Sequence, residues 1–273
     1  MENKLWFAAW IFIIFGFLLS CVTHAQNEDG FRKANNKIYV IAHRGVHTGI
    51  PENSLPAYQK AIELGCDFVE IDIRTTKDGR FVSIHNSTID SYVIGKTGTV
   101  RDMTLAELKD LDIGEKLGEE WKSTRIPAFE EILQLCKGKI GIYLDLKDAP
   151  VPELMKIIRK FDMENDVVWY FPFQKFLELE NTEELFGNSW PMPDPQTVLN
   201  LHTLFKNSKF KLIAADMGML TKSFVNEAHK KGAMVFADDK KATKKEWQKM
   251  IDCGVNGIQT DRPAELIELL TKN

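Results

Sequence analysis

The sequence predicts an α/β fold, a (β/α)8 TIM barrel, on three observations. Eight short segments rich in β-branched residues are near-continuously apolar, as parallel strands covered on both faces must be. Stretches with helix-start signals lie between most of them. The length of 273 residues suits one such domain, because barrels of about 250 residues form as a single unit. With 44% hydrophobic and 27% charged residues, the chain is neither disordered nor low in complexity. A net charge of −4 supplies no global basic field for nucleic acid.

Residues 1–25 stand apart. Lys4 precedes an apolar run from Leu5 to Leu19, shorter than the about 20 residues that span a bilayer core. Ser20, Cys21, Thr23 and Ala25 follow, the pattern of a secretory signal peptide cleaved after Ala25. Residues 26–273 are then one barrel domain. Leu18-Leu19-Ser20-Cys21 is also similar to a bacterial lipobox, which would tether the protein to a membrane through Cys21. Leu19 is unusual in a lipobox, so plain export ranks first, and an uncleaved anchor helix is the third reading. All three put the domain outside the cytosol, periplasmic or secreted, free or as an anchored lipoprotein. Cys66, Cys136 and Cys253 remain, an odd number without ligand spacing, read as small buried hydrophobes rather than a disulfide scaffold.

The expected strands, in order, are Ile38–Ala42, Phe68–Ile73, Phe81–Ile84, Ile140–Leu146, Val167–Phe171, Leu212–Ala215, Ala233–Ala237 and Gly257–Gln259. Ser54 caps a helix with Pro56 in its first turn, and Gly65 ends it. Thr104 and Glu107 form a capping box, Thr243 and Glu246 repeat the device, and Pro263 starts a last helix through Leu270. Residues 171–211, with WPMPDP at their centre, read as a helix-bearing loop inserted over one barrel face.

Barrel active sites lie at the C-terminal ends of the strands, and there this sequence concentrates polar groups. The first strand ends in His43-Arg44-Gly45. The second carries Glu70 and Asp72 on one face, the third ends in His85-Asn86, and the fourth carries Asp145 and Lys147 on one face. A lone histidine at a strand end is usually a packing residue, and an acidic pair often only a salt-bridged layer. Four successive strand ends with such groups are harder to assign to chance. The set suits a phosphodiester. Glu70, Asp72 and Asp145 are hard oxygen ligands for one divalent cation, Mg²⁺ or Ca²⁺. Arg44 and Lys147 would offset charge on phosphorus, and two histidines can divide the proton transfers.

The segment from Ile41 to Asn86 resembles the glycerophosphodiester phosphodiesterase signature. It has His43-Arg44-Gly45, Pro51-Glu52-Asn53-Ser54, Glu70-Ile71-Asp72, Asp78-Gly79 and His85-Asn86. GTVRDMTLAELKDLD, Ile126-Pro127, the LDLK strand and GVNGIQTDRP extend the resemblance over about residues 38–270. It implies a barrel, a divalent cation, and hydrolysis of glycerophosphodiesters to glycerol 3-phosphate and an alcohol through a cyclic phosphate. By the resemblance His43 and His85 are the acid/base pair, while Arg44 and Lys147 contact phosphate. Glu70, Asp72 and Asp145 hold the metal, and Glu52 supports the metal or Arg44.

Several positions depart from the family pattern. Asn86 replaces an Asp, Asp145 a Glu, and Phe236-Ala237-Asp238-Asp239 a Trp-Thr-x-Asn strand end, while Tyr92-Val93-Ile94 replaces an Arg-Thr-Thr. These changes point to retained catalysis with altered specificity. Two rivals remain, a phospholipase-like barrel cleaving phosphoinositides or other phospholipids, and a barrel that binds a phosphodiester without turnover. Trp169, Tyr170, Phe171 and Phe173 are divided between pocket lining and core. Asp216 either meets a polar head group or caps a turn.

Overall fold

The computed structural model describes residues 30–179, 182–207 and 209–272. The signal-peptide, lipobox and Cys21 expectations lie outside the described residues. No helix among the described residues is long and apolar enough to cross a membrane.

Among the described residues nine strands form one sheet: β1 (Tyr39–Ala42), β2 (Phe68–Thr75), β3 (Phe81–Ser83), β4 (Gly141–Leu146), β5 (Val167–Pro172), β6 (Trp190–Asp194), β7 (Leu212–Asp216), β8 (Met234–Asp238) and β9 (Gly257–Thr260). The hydrogen-bonded order is β6-β5-β4-β2-β1-β9-β8-β7, all parallel, with β3 off this path. Since β6 also lies against β7, eight parallel strands make a nearly closed barrel, as expected.

Two strand assignments need correction. Phe81–Ser83 is not a barrel stave but a hairpin partner, antiparallel to β2 with Ser83 opposite Ile73. Only five residues separate Thr75 from Phe81, and a parallel return needs a dozen or more. Gly79 takes the left-handed φ of +71° that the tight turn demands. The missing stave is Trp190–Asp194, inside the stretch read as an inserted loop. Pro191 and Pro193 hid it. Two residues apart on a strand, they withhold N–H donors along one edge, and no ladder joins β6 to β7.

The insertion is therefore also misplaced. Residues 171–211 are mostly regular barrel units, with helices over Phe173–Glu178, Thr182–Phe186 and Val198–Asn207 around β6. The irregular excursion is 84–128, where Ile84, Ile89, Val93, Val100, Leu108, Leu111, Ile113 and Ile126 form a small core of their own with Val82 of β3. Within it the Thr104–Glu107 capping box opens a helix over Leu105–Lys109 as expected. The Thr243 side chain accepts from Glu246 N, but the Glu246 carboxylate turns to the backbone of Lys240 and Lys241 instead of closing a box.

The barrel interior explains why only one end is open. Phe31, Tyr39, Phe68, Trp190 and Phe236 fill the end where the strands begin, with the Phe31 ring 4.7 Å from Trp190 and 5.7 Å from Phe68. Gly141 and Gly257 make room for these rings. A Cβ would fall 2.4 Å from Phe68 at the first and 2.6 Å from Phe236 at the second.

Candidate active site

The open end holds a cavity of about 260 Å³ lined by His43, Arg44, His85, Tyr143, Asp145, Tyr170, Asp194, Asp216, Phe236, Asp238 and Gln259. Local backbone aims the first two. Arg44 has a φ of +52° and Gly45 of +79°, and a Cβ on Gly45 would meet Ala57 at 2.8 Å. Only glycine fits this close turn, and the strained Arg44 backbone is held by N–H donation to Glu70 Oε2 at 2.7 Å.

Glu70, Asp72 and Asp145 converge, with one oxygen of each within 4.8 Å of the others. Glu70 and Asp72 are 1% exposed. Burial and the charge of Asp72 push the Glu70 carboxyl well above its usual range. Burial also opposes ionisation of Asp72, but Lys147 and an Asn53 hydrogen bond outweigh it and hold Asp72 low. Burial raises Asp145, with Lys147 working the other way. Lys147 Nζ stands 2.5 Å from Asp145 Oδ2 and 2.9 Å from Asp72 Oδ1. The second contact is an ion pair without hydrogen-bond alignment, so Asp72 Oδ1 keeps an unused lone pair. Clustered hard oxygens, two of the carboxyls with a raised proton affinity and the third with an incompletely satisfied oxygen, fit a divalent cation.

Both histidines are oriented through Nδ1. His43 donates to Asp261 Oδ1 at 2.6 Å, and His85 donates to the Asn86 amide oxygen at 2.9 Å. Each acceptor fixes the tautomer and leaves Nε2 as the free ring nitrogen. Burial lowers the proton affinity of His43, but the Asp261 bond with Glu70 and Asp238 nearby raises its pKa to about 9. Asn86 thus accepts a hydrogen bond from His85 at the position where the family pattern has Asp.

Arg44 Nη1 donates to both Glu52 oxygens at 3.2 Å, and the Tyr92 hydroxyl donates to Glu52 Oε1 at 3.1 Å. Glu52 therefore sits on the guanidinium side, not in the carboxylate trio. Of the four aromatic candidates, Tyr170 lines the cavity while Trp169 and Phe171 are fully buried core. Phe173 packs against that core. Asp216 caps a turn, accepting from Gly218 N and Met219 N, and also lines the cavity. Cys66, Cys136 and Cys253 are free thiols; the first two are buried, and burial pushes each to about 12.

Two organising residues had no role in the sequence reading. Asp261 follows the last strand, which pairs with the first, so barrel closure brings it to His43 across 218 positions. Asn53, 1% exposed, donates to Asp72 Oδ2 at 2.7 Å and accepts from Tyr58 and Ser83 hydroxyls. Its place at the mouth of a capped helix in the Pro51–Ser54 motif was the available signal. His47 also reaches Asp261, at 3.5 Å.

A barrel whose open end presents carboxylates, cations and two oriented imidazoles is built for phosphoester chemistry. Comparison with known proteins supports that class. Residues 43–178 match the model of the glycerophosphoryl diester phosphodiesterase family. A glycerophosphodiester phosphodiesterase of Caldanaerobacter subterraneus subsp. tengcongensis is 31% identical over 258 residues, covering 86% of this chain and 99% of that protein. The glycerophosphodiester phosphodiesterase structure from Agrobacterium tumefaciens superposes with a TM-score of 0.73 at 21% identity, over 86% of this chain and 100% of that one. An Oleispira antarctica phosphodiesterase, solved in complex with the product sn-glycerol-3-phosphate, gives a TM-score of 0.75 at 21% identity, over 85% and 96%. The chain belongs to the glycerophosphoryl diester phosphodiesterase family. It is a phosphodiesterase acting on glycerophosphodiesters.

Proposed function

We propose that the chain hydrolyses a glycerophosphodiester to glycerol 3-phosphate and an alcohol, with His43 and His85 as the acid/base pair and one divalent cation, Mg²⁺ or Ca²⁺, in the mouth. The observation that carries this reading is the juxtaposition of the Glu70–Asp72–Asp145 oxygens with two tautomer-fixed histidines around one cavity. Glu70, Asp72 and Asp145 would hold the ion, which when bound polarises a phosphoryl oxygen. Arg44, braced by Glu52, and Lys147 bind the phosphate oxygens and stabilise charge building on them.

His43 keeps its proton at neutral pH through Asp261, which fits it to protonate the departing alkoxide. His85 takes the proton of the neighbouring glycerol hydroxyl as that oxygen attacks phosphorus. A P–O bond to the glycerol oxygen forms while the bond to the alcohol breaks. Water then opens the cyclic phosphate with the two histidine roles exchanged. For the segment before the domain we propose export, directed by residues 1–25.

The test is release of glycerol 3-phosphate from glycerophosphocholine, -ethanolamine, -glycerol and -inositol by the wild type and by His43→Ala and His85→Ala. Each variant should lose roughly 10²–10⁴-fold in kcat. A loss under a few-fold for either removes that residue from the mechanism. Tight binding without product over long incubation would instead establish the non-catalytic barrel.

A further inference from the structure

The two halves of the mouth differ in charge. The reacting groups, His43, Arg44, Glu70, Asp72, His85 and Asp145 among them, come from β1, β2, β4 and the segment after β3. On the opposite wall, the last residue of each of three successive strands is an aspartate: Asp194 on β6, Asp216 on β7 and Asp238 on β8. Asp216 and Asp238 are direct register neighbours. All three line the cavity, between Tyr143, Tyr170 and Phe236. No Lys or Arg lines this wall among the described residues. Lys240 does not line the cavity but comes near Asp216 from outside it, since a Cβ on Gly218 would stand 2.9 Å from Asp216 Oδ1 and 3.7 Å from Lys240 Nζ. The His43 imidazolium offsets Asp238, but Asp216 stands close enough to Asp194 to repel its charge, and such neighbours cost stability unless something positive enters between them.

Three features define what enters. Among the described residues the only acidic group with ligand oxygens within 4.8 Å of one another is Glu70–Asp72–Asp145. The three wall aspartates are thus too far apart to share one metal ion at bonds of about 2.3–2.6 Å, so the positive group must be larger and more diffuse. Second, Gln259 lines the same wall at 7% exposure. Its Nε2 donates to Asp238 Oδ1 at 3.1 Å, while its Oε1 is a buried acceptor without a partner. Third, the Tyr143 and Tyr170 rings stack at 6.0 Å and offer π surface, which attracts organic ammonium groups.

We propose that the β6–β8 wall is a subsite for a cationic alcohol, so that the preferred substrate is a zwitterionic diester whose leaving group carries an ammonium. The inference rests on the hydrolase reading above. The cavity, about 260 Å³ in all, contains the phosphate side and this wall together, which leaves room for a small head group only. Phosphate meets Arg44 and Lys147 on one side while the ammonium meets Asp194, Asp216 and Asp238 on the other.

The experiment compares glycerophosphocholine with its neutral isostere, the 3,3-dimethylbutyl ester of glycerol 3-phosphate, and with glycerophosphoglycerol. The wild type should favour the choline diester in kcat/KM by about tenfold or more. Asp216→Asn and Asp238→Asn keep the Oδ1 acceptor used by Gly218, Met219 and Gln259 but remove one charge each. Each should shrink the choline-to-isostere ratio several-fold. A wild-type ratio near one, a preference for the polyol diester, or an unchanged ratio in both variants overturns the subsite. If none of the diesters is hydrolysed, the hydrolase reading fails instead. Calorimetric binding of the same compounds to the His85→Ala protein then still decides whether the wall selects the ammonium.

Discussion

His43 shows how far a single residue depends on partners remote in sequence. Its strand-end position was legible, because an HRG triplet closing an apolar run places an imidazole at a barrel mouth. Its proton affinity was not, because Asp261 arrives only when β9 pairs with β1. The linkage sign is definite. A histidine raised from 6.5 to about 9 stabilises the fold fully below the unfolded value and loses that contribution as pH rises through about 9. For activity, Asp261→Asn should lower the His43 pKa and move the alkaline limb of kcat/KM to lower pH, read from pH–rate profiles. An unmoved limb would mean His43 is not the acid. Asn53→Ala should free Asp72 from its buried donor and weaken metal affinity roughly 10–100-fold by calorimetry. Unchanged affinity would reduce Asn53 to a packing residue.

At the scale of elements, local signals worked where chain geometry is local. Ser54, with Pro at the helix start, and the Thr104–Glu107 box both open helices as read. Errors came where tertiary context decides. Phe81–Ser83 has the composition of a barrel strand, yet the five-residue turn before it permits only a hairpin. Trp190–Asp194 has the composition of a loop, yet its prolines sit where one ladder is missing. The strand-start glycines make a prediction here. Gly141→Ala and Gly257→Ala should each destabilise the protein by about 1–3 kcal/mol through overpacking against Phe68 and Phe236. Thermal unfolding measures this, and an unchanged Tm in both would show that the aromatic plug yields freely.

For the whole molecule, parallel closure is what turns scattered motifs into a site. The same closure keeps the far end shut with aromatic rings, so substrate enters only at the face where the functional groups stand. The pattern of alternating strands and helices announced the barrel, and the polar strand ends announced its chemistry. The excursion at 84–128, which supplies Tyr92 to Glu52, carries no comparable periodicity, because tertiary contacts rather than local pattern set its place in the fold.

The most direct test of the central claim is hydrolysis of glycerophosphocholine by metal-stripped protein before and after titration with Mg²⁺ or Ca²⁺. The account predicts negligible release of glycerol 3-phosphate without metal and saturable recovery with one ion per chain, lost in Glu70→Gln and Asp145→Asn. Full turnover in excess chelator, or undiminished recovery in both variants, would contradict it.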